Sequence, residues 1–151
     1  MKPLRKSELP AFVKKALNPY AEEAATLAKE FKAEANILFQ ANLGGTLDDL
    51  RALDRVCRFN RQAFDDGMIL RAGFYLGEVL RRHYDGKYQW DVRRNALSLR
   101  IGEVSLFPIE KVRKIVAEKD AGTLEEYLMV LAKKIADSRG HGKSKEPPPA
   151  P

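Results

Sequence analysis

Cysteine and histidine are nearly absent from this sequence. Cys57 is the only cysteine, and His83 and His141 are the only histidines. One cysteine excludes an internal disulfide and fits a reducing compartment. With His141 in the C-terminal segment, too few ligands remain for an ordinary structural zinc site. No run of about 18 apolar residues occurs, so no transmembrane helix is expected. The basic opening MKPLRKSELPAF is not followed by an apolar stretch, so no secretory signal is expected either. A cytoplasmic protein is the resulting expectation. No G-x-x-x-x-G-K-[ST] loop and no G-x-S-x-G elbow is present, and the five serines fall in segments that read as arm, strands or tail. Neither a cofactor nor a catalytic nucleophile is expected.

What is present suits one folded domain. The 151 residues are 44% apolar and 32% charged, enough for a real core. The net charge of +6 is unevenly spread. Residues 1–15 hold five basic side chains against Glu8 alone, whereas residues 16–139 hold 20 basic and 19 acidic. The basic character therefore belongs to an N-terminal arm. It weakens any argument that the whole surface attracts a polyanion.

Periodicity orders the chain as an α+β domain over residues 10–138, between a flexible basic arm (1–9) and a disordered Pro-rich tail (139–151). A short helix fits Pro10 to Leu17. Asn18-Pro19 caps and opens a long amphipathic helix with Tyr20, Ala24, Leu27, Ala28, Phe31, Ala35 and Leu38 on one face, expected to stop near Asn42 before Gly44-Gly45. Thr46 restarts a helix whose buried face is Leu50, Leu53, Cys57 and Phe64. That helix either continues to Phe64 or breaks near Phe59-Asn60. The central helix follows Asp65-Asp66-Gly67, with Ile69, Ala72, Gly73, Leu76, Val79 and Leu80 inward and Arg71, Glu78 and Arg82 opposite. Each internal glycine costs a helix about 1 kcal/mol against alanine. Gly73 and Gly77, four apart, therefore read as a groove for close approach of another element. Asp85-Gly86 ends the helix, with Gly86 past the last turn.

The period then changes to two. Tyr88, Trp90 and Val92 alternate with polar residues, as do Leu97, Leu99 and Ile101, and Val104 and Leu106 follow the turn Gly102-Glu103. This is a three-stranded antiparallel meander, with Trp90 on its core side. Pro108 opens a helix with Ile109, Val112, Ile115 and Val116 inward, closed by Asp120-Ala121-Gly122. Thr123-x-x-Glu126 then caps a last helix that buries Leu124, Tyr127, Leu128, Leu131, Ala132 and Ile135. The expected architecture is two layers: about five helices packed on a small three-stranded antiparallel meander.

Two polar groupings are candidate binding sites. Arg71, Glu78, Arg82 and His83 share the central helix. A Glu beside a His suits acid–base work or anchoring a partner's arginine, but spacing favours a Glu78–Arg82 i,i+4 ion pair on a solvated face and His83 as a partly buried cap. Arg51, Arg55 and Arg58, with Arg61, line one side of the preceding helix and would suit phosphates. Arg93-Arg94 would extend that patch, but the interspersed acids Asp48, Asp54, Asp65 and Asp91 favour a solvated helix face instead. Asp48-Asp49 and Asp65-Asp66 do not converge, because adjacent helical positions point about 100° apart, so no metal is expected. Tyr84, Tyr88 and Trp90 would form a base-stacking platform if exposed, and core aromatics if not. The PPPAP end offers a polyproline II ligand in a segment that needs no fold.

The run Gly73-Phe74-Tyr75-Leu76-Gly77-Glu78-Val79-Leu80-Arg81-Arg82, followed by Gly86 and Trp90, resembles a pattern of small bacterial α+β domains with no assigned activity. The resemblance covers about a sixth of the chain. It implies a bacterial source and this layout, and it brings no functional residue with it. The functional expectation is a non-catalytic protein-interaction or regulatory module whose partner is another protein. The alternative is an accessory nucleic-acid binder using the basic arm and the Arg51–Arg61 face, and a third reading is an enzyme built on Glu78 and His83.

Overall fold

The computed structural model describes residues 19–119 and 122–144, with side chains between 23 and 139. The arm, the short helix from Pro10, the Asn18 cap, Asp120-Ala121 and the segment from 145 lie outside the described residues. Among those described, five α-helices accompany a three-stranded antiparallel sheet of order β1-β2-β3. The helices are α1 (Pro19–Leu38), α2 (Leu50–Phe59), α3 (Asp66–Tyr84), α4 (Pro108–Val116) and α5 (Leu124–Ser144). The strands are β1 (Lys87–Asp91), β2 (Ala96–Ile101) and β3 (Val104–Leu106). Register pairs Tyr88 with Leu99, Trp90 with Leu97, and Ile101 with Val104 across the Gly102-Glu103 turn. No helix among the described residues is long and apolar enough to cross a membrane.

Helix α3 is the pivot. Asp65 caps it, accepting from the Met68 N–H at 2.8 Å, and every residue from Ala72 to Leu80 is buried. One helix can be buried all round only if neighbours cover each side. Here α1 lies along one flank, α4 along another, and β2 against a third. The two internal glycines make this possible. A Cβ on Gly73 would stand 2.6 Å from the Ile109 Cα of α4, and one on Gly77 would stand 2.6 Å from the Tyr88 hydroxyl oxygen. Both positions of the expected groove are occupied, one by helix backbone and one by the sheet.

Around α3 the apolar residues fall into two clusters. The larger joins α1, α2, α4, α5 and the sheet through Phe31, Leu50, Leu76, Leu99, Ile115 and Leu131. Phe31 stacks obliquely on Tyr75 of α3 (5.7 Å between ring centroids) and Phe64 (6.2 Å), which fastens α1 to the centre. The smaller cluster, on the opposite side of α3, is Ala24, Phe74 and Leu97 with Leu27, Leu70, Tyr88 and Ile109 at its edge.

Several boundaries differ from expectation. Helix α1 stops at Leu38, not Asn42, and Leu38 is 60% exposed instead of lining the core. Gln40 and Asn42 take left-handed backbone (φ 52° and 56°), so the chain turns before the glycine pair. Asn36 holds the turned segment: its carbonyl accepts from the Leu43 N–H at 2.6 Å and its amide donates to the Leu43 C=O at 3.2 Å, seating Leu43 in the core. Helix α2 breaks at Phe59, which resolves the alternative left open by its sequence. At the end of α3 it is Asp85 that adopts the left-handed conformation (φ 57°). Gly86 serves a different need, because a Cβ there would meet Leu99 and Ile101 at about 3 Å. Helix α4 ends at Val116, short of Asp120, and α5 runs to Ser144, beyond the expected boundary at 138. Its start is as expected, with the Thr123 hydroxyl accepting from the Glu126 N–H at 3.1 Å.

Candidate functional site

Glu78 occupies neither the solvated face nor the pairing expected of it. It is 4% exposed, and its carboxylate is held by Arg81, one turn on at i+3, not by Arg82. Arg81 donates through Nε at 2.7 Å and Nη2 at 3.2 Å, and the Tyr88 hydroxyl donates to Oε2 at 3.1 Å. The physical reason is the neighbour across Gly77. Strand β1 brings Tyr88 over the glycine, encloses the carboxylate, and leaves only Arg81 placed to chelate it. Burial, then the Glu78 charge, raises the Tyr88 hydroxyl pKa far above its ordinary value. The Glu78 hydrogen bond does most to raise that of Arg81. Such a carboxylate is a structural acceptor, with its oxygens already engaged. Glu78→Ala strands the buried Tyr88 hydroxyl and should cost about 2 kcal/mol in urea unfolding, whereas Glu78→Gln keeps an acceptor and should cost about half that. Equal urea midpoints for wild type and Glu78→Ala would refute the arrangement.

The other residues of this grouping do not join it. His83 is exposed, contrary to the partly buried cap expected, with its ring edge-on to Tyr84 at 4.6 Å. Position 83 lies at the end of α3, where the neighbouring elements no longer enclose the helix. Arg71 sits seven residues before Glu78, about 10 Å along the helix axis. It pairs with Glu34 of α1 at 3.0 Å, and its Nε is buried without a hydrogen bond. Arg82 is exposed and borders a small cavity between α1 and α3.

The arginine face of α2 is largely committed to holding the fold. Arg51 pairs with Glu125 of α5 at 2.5 Å, and Arg61 pairs with Glu118 at 2.6 Å. Arg58 binds Asp54 at 2.9 Å and donates to the Gly122 carbonyl. Asp54 is buried, and its other oxygen accepts from the Leu124 N–H at 3.0 Å, which caps α5 from across the fold. Its sequence setting shows it only as an acid diluting a basic stripe. Arg55 alone of this group makes no hydrogen bond or ion pair among the described residues. Cys57 lies beneath this face, its thiol pushed up to about 12 by burial and then by Asp54, so the thiolate is scarce at neutral pH. No group of three or more potential metal ligands converges among the described residues.

The aromatic reading of β1 is divided. Tyr88 is half-buried on Gly77, but Trp90 is 44% exposed and Val92, beyond the strand end, is 84% exposed. Alternation put both inside. However, alternation gives the face a side chain takes and not what covers it, and Trp90 stands near the end of the edge strand β1. Trp90 instead borders a cleft of about 290 Å³ lined by Leu70, Leu97 and Ile109, with Arg94, Arg113 and Glu110 among its other walls. The Arg94 guanidinium lies 4.3 Å over the Phe107 ring and 3.5 Å from Glu110. Arg93 and Arg113 are exposed, and their side chains make no hydrogen bond or ion pair among the described residues. Compared with protein-family models, with curated proteins and with solved structures, the chain finds no match, so its role is argued from this chemistry alone.

Proposed function

We propose that this protein is a non-catalytic protein-interaction module, and that the Trp90 cleft receives an acidic segment of its partner carrying one apolar anchor. The observation that carries this reading is a half-exposed tryptophan beside an apolar cleft floor, with Arg113 unpaired among the described residues and Arg94 shared with Glu110 in its walls. Tryptophan and arginine at such a place are the side chains that most often dominate binding energy. Leu70, Leu97 and Ile109 would take the apolar anchor, while Arg94 and Arg113 would attract the flanking carboxylates. The saturated Glu78 and the buried thiol of Cys57 favour binding over catalysis. Nucleic-acid binding remains the alternative, but the pairing of Arg51, Arg58 and Arg61 favours the protein reading.

Because Trp90 is the only tryptophan, its emission reports on this cleft alone. Acidic peptides with a central Leu or Phe should shift that emission saturably, and lysine-flanked versions should not. Arg113→Glu should weaken peptide binding about tenfold or more, the scale of losing a desolvated charge contact. Trp90→Ala, followed by calorimetry, should do the same. No response to any acidic peptide would sink the proposal. Quenching by single-stranded oligonucleotides without a peptide response would replace it with the nucleic-acid reading.

A further inference from the structure

Beneath the Gly44-Gly45 loop, where α1 faces α3, lies a cavity of about 120 Å³ distinct from the Trp90 cleft. Lys29 and Lys32 border it from α1, Arg82 and Tyr75 from α3, and Gly45 from the loop. None of the three cationic side chains makes an ion pair or hydrogen bond among the described residues, although α1 carries Glu30 and Glu34 close to its two lysines. Glu34 is engaged with Arg71. Glu78, the one carboxylate on the cavity wall, is already chelated by Arg81 and bonded by Tyr88, so it does not pair with the three cations. Three like charges around one small cavity repel each other unless an anion joins them.

A second observation points the same way. The Tyr75 side chain is 3% exposed, and its hydroxyl oxygen accepts the Gly45 N–H at 3.0 Å. Its own O–H donates to no atom among the described residues, and Tyr75 lines the cavity. A buried hydroxyl normally donates as well as accepts, so a spare donor facing a cationic cavity calls for an acceptor there. The loop is held in place independently: the Asp49 carboxylate accepts from the N–H groups of Gly44 (2.8 Å) and Thr46 (2.9 Å). Burial would raise the Asp49 carboxyl, yet these bonds hold it below its ordinary value, so the clamp is charged at neutral pH.

We propose that this cavity binds a phosphate group, with Lys29, Lys32 and Arg82 neutralising its charge and the Tyr75 hydroxyl donating to one oxygen. Size limits the occupant. At about 120 Å³ the cavity holds the phosphate group itself, so the rest of any carrier lies outside it. The carrier is inorganic phosphate or a small phosphomonoester whose remaining part projects past Gly45. Three cations and a hydroxyl suit a dianion better than a monocarboxylate.

Calorimetric titration of the full chain near about pH 7.5, where monoesters are mostly dianionic, tests this with inorganic phosphate, phenyl phosphate and acetate. Saturable binding of either phosphate that weakens with added chloride is expected, with acetate much weaker. Lys32→Ala and Arg82→Ala should each reduce affinity about tenfold, Tyr75→Phe several-fold, and the distant Lys133→Ala not at all. Lys32 and Arg82 reach solvent, so circular dichroism should show their variants folded even if Tyr75→Phe loosens the loop. Tighter binding of phenyl phosphate supports a phosphomonoester, and tighter binding of inorganic phosphate supports the free ion. No saturation below about 10 mM, or equal affinity in the three site variants, overturns the proposal. The Trp90 peptide assay is unaffected by this outcome, so the two proposals fail separately.

Discussion

Gly73→Leu should lower the melting temperature by about 12 °C, the largest effect foreseen for one substitution in this chain. The added Cβ would lie 2.6 Å from the Ile109 Cα and 2.7 Å from its Cγ1. A flexible side-chain tip yields cheaply, but a helix backbone does not, so α4 must shift away from α3. Overpacking costs about 1–3 kcal/mol in general, and a backbone collision with a branched side chain behind it belongs at or beyond the upper end. Removing a helical glycine returns about 1 kcal/mol. A net loss near 3 kcal/mol follows, at roughly 4 °C per kcal/mol for a domain of this size. Gly73→Ala should lose less, since the propensity gain offsets a single methyl. At Gly77 the added Cβ meets the end of a tyrosine side chain, which can move but must leave Glu78 to do so. Calorimetry on Gly73→Leu, Gly73→Ala and Gly77→Ala should therefore rank Gly73→Leu as the most damaging. A Gly73→Leu protein as stable as wild type would mean that α3 and α4 do not touch here.

The second large effect belongs to Asp54→Ala, expected to cost about 2–3 kcal/mol in urea unfolding. Asp54 receives both the Arg58 guanidinium of its own helix and the first N–H of α5, seventy residues later. Stranding the buried Leu124 N–H costs about 1–3 kcal/mol, and the Arg58 guanidinium loses its carboxylate partner as well, which places the total toward the upper part of that range. Asp54→Asn retains an acceptor and should recover roughly half of the loss. Amide exchange locates the damage: protection should fall first at the start of α5, around Leu124. By contrast Arg51→Ala, which removes an exposed pair with Glu125 on the same two helices, should stay within about 0.5 kcal/mol. If Asp54→Ala were equally silent, the bond to α5 would have to be absent in solution.

These two positions show why some of the molecule was legible in the sequence and some was not. Gly73 and Gly77 could be read, because a glycine inside a strong helical pattern has a known local cost and the fold must recover it by close packing. Asp54 could not. An aspartate within a basic stripe looks solvated, and nothing local tells that its acceptor will meet a helix N-terminus from the far end of the chain. Glu78 is the same case in miniature. Arg81 at i+3 and Arg82 at i+4 are both within reach along the helix, and only the arrival of Tyr88 on Gly77 decides between them.

The candidate sites divide along the same line. Of Arg51, Arg55, Arg58, Arg71, Glu78, Arg82 and His83, most were singled out by charge and spacing, and the fold employs most of these as internal ties. Arg82 keeps a place at an open site, and there it meets Lys29 and Lys32, which lie on the polar flank of α1 and carried no signal of their own. Trp90 was assigned to the core by alternation, which tells which face a side chain takes but not whether anything covers that face.

By itself the sequence determined the α+β class, the order of helices and strands, the meander with its Gly102 turn, and the need for close packing at Gly73 and Gly77. Those follow from periodicity, caps and backbone sterics, all of which act within a few residues. The tertiary structure decided the partner of Glu78, the cap on α5, the exposure of Trp90 and the gathering of cations around Tyr75. Each of these depends on which surfaces meet across tens of residues, and packing settles that only once the elements have formed.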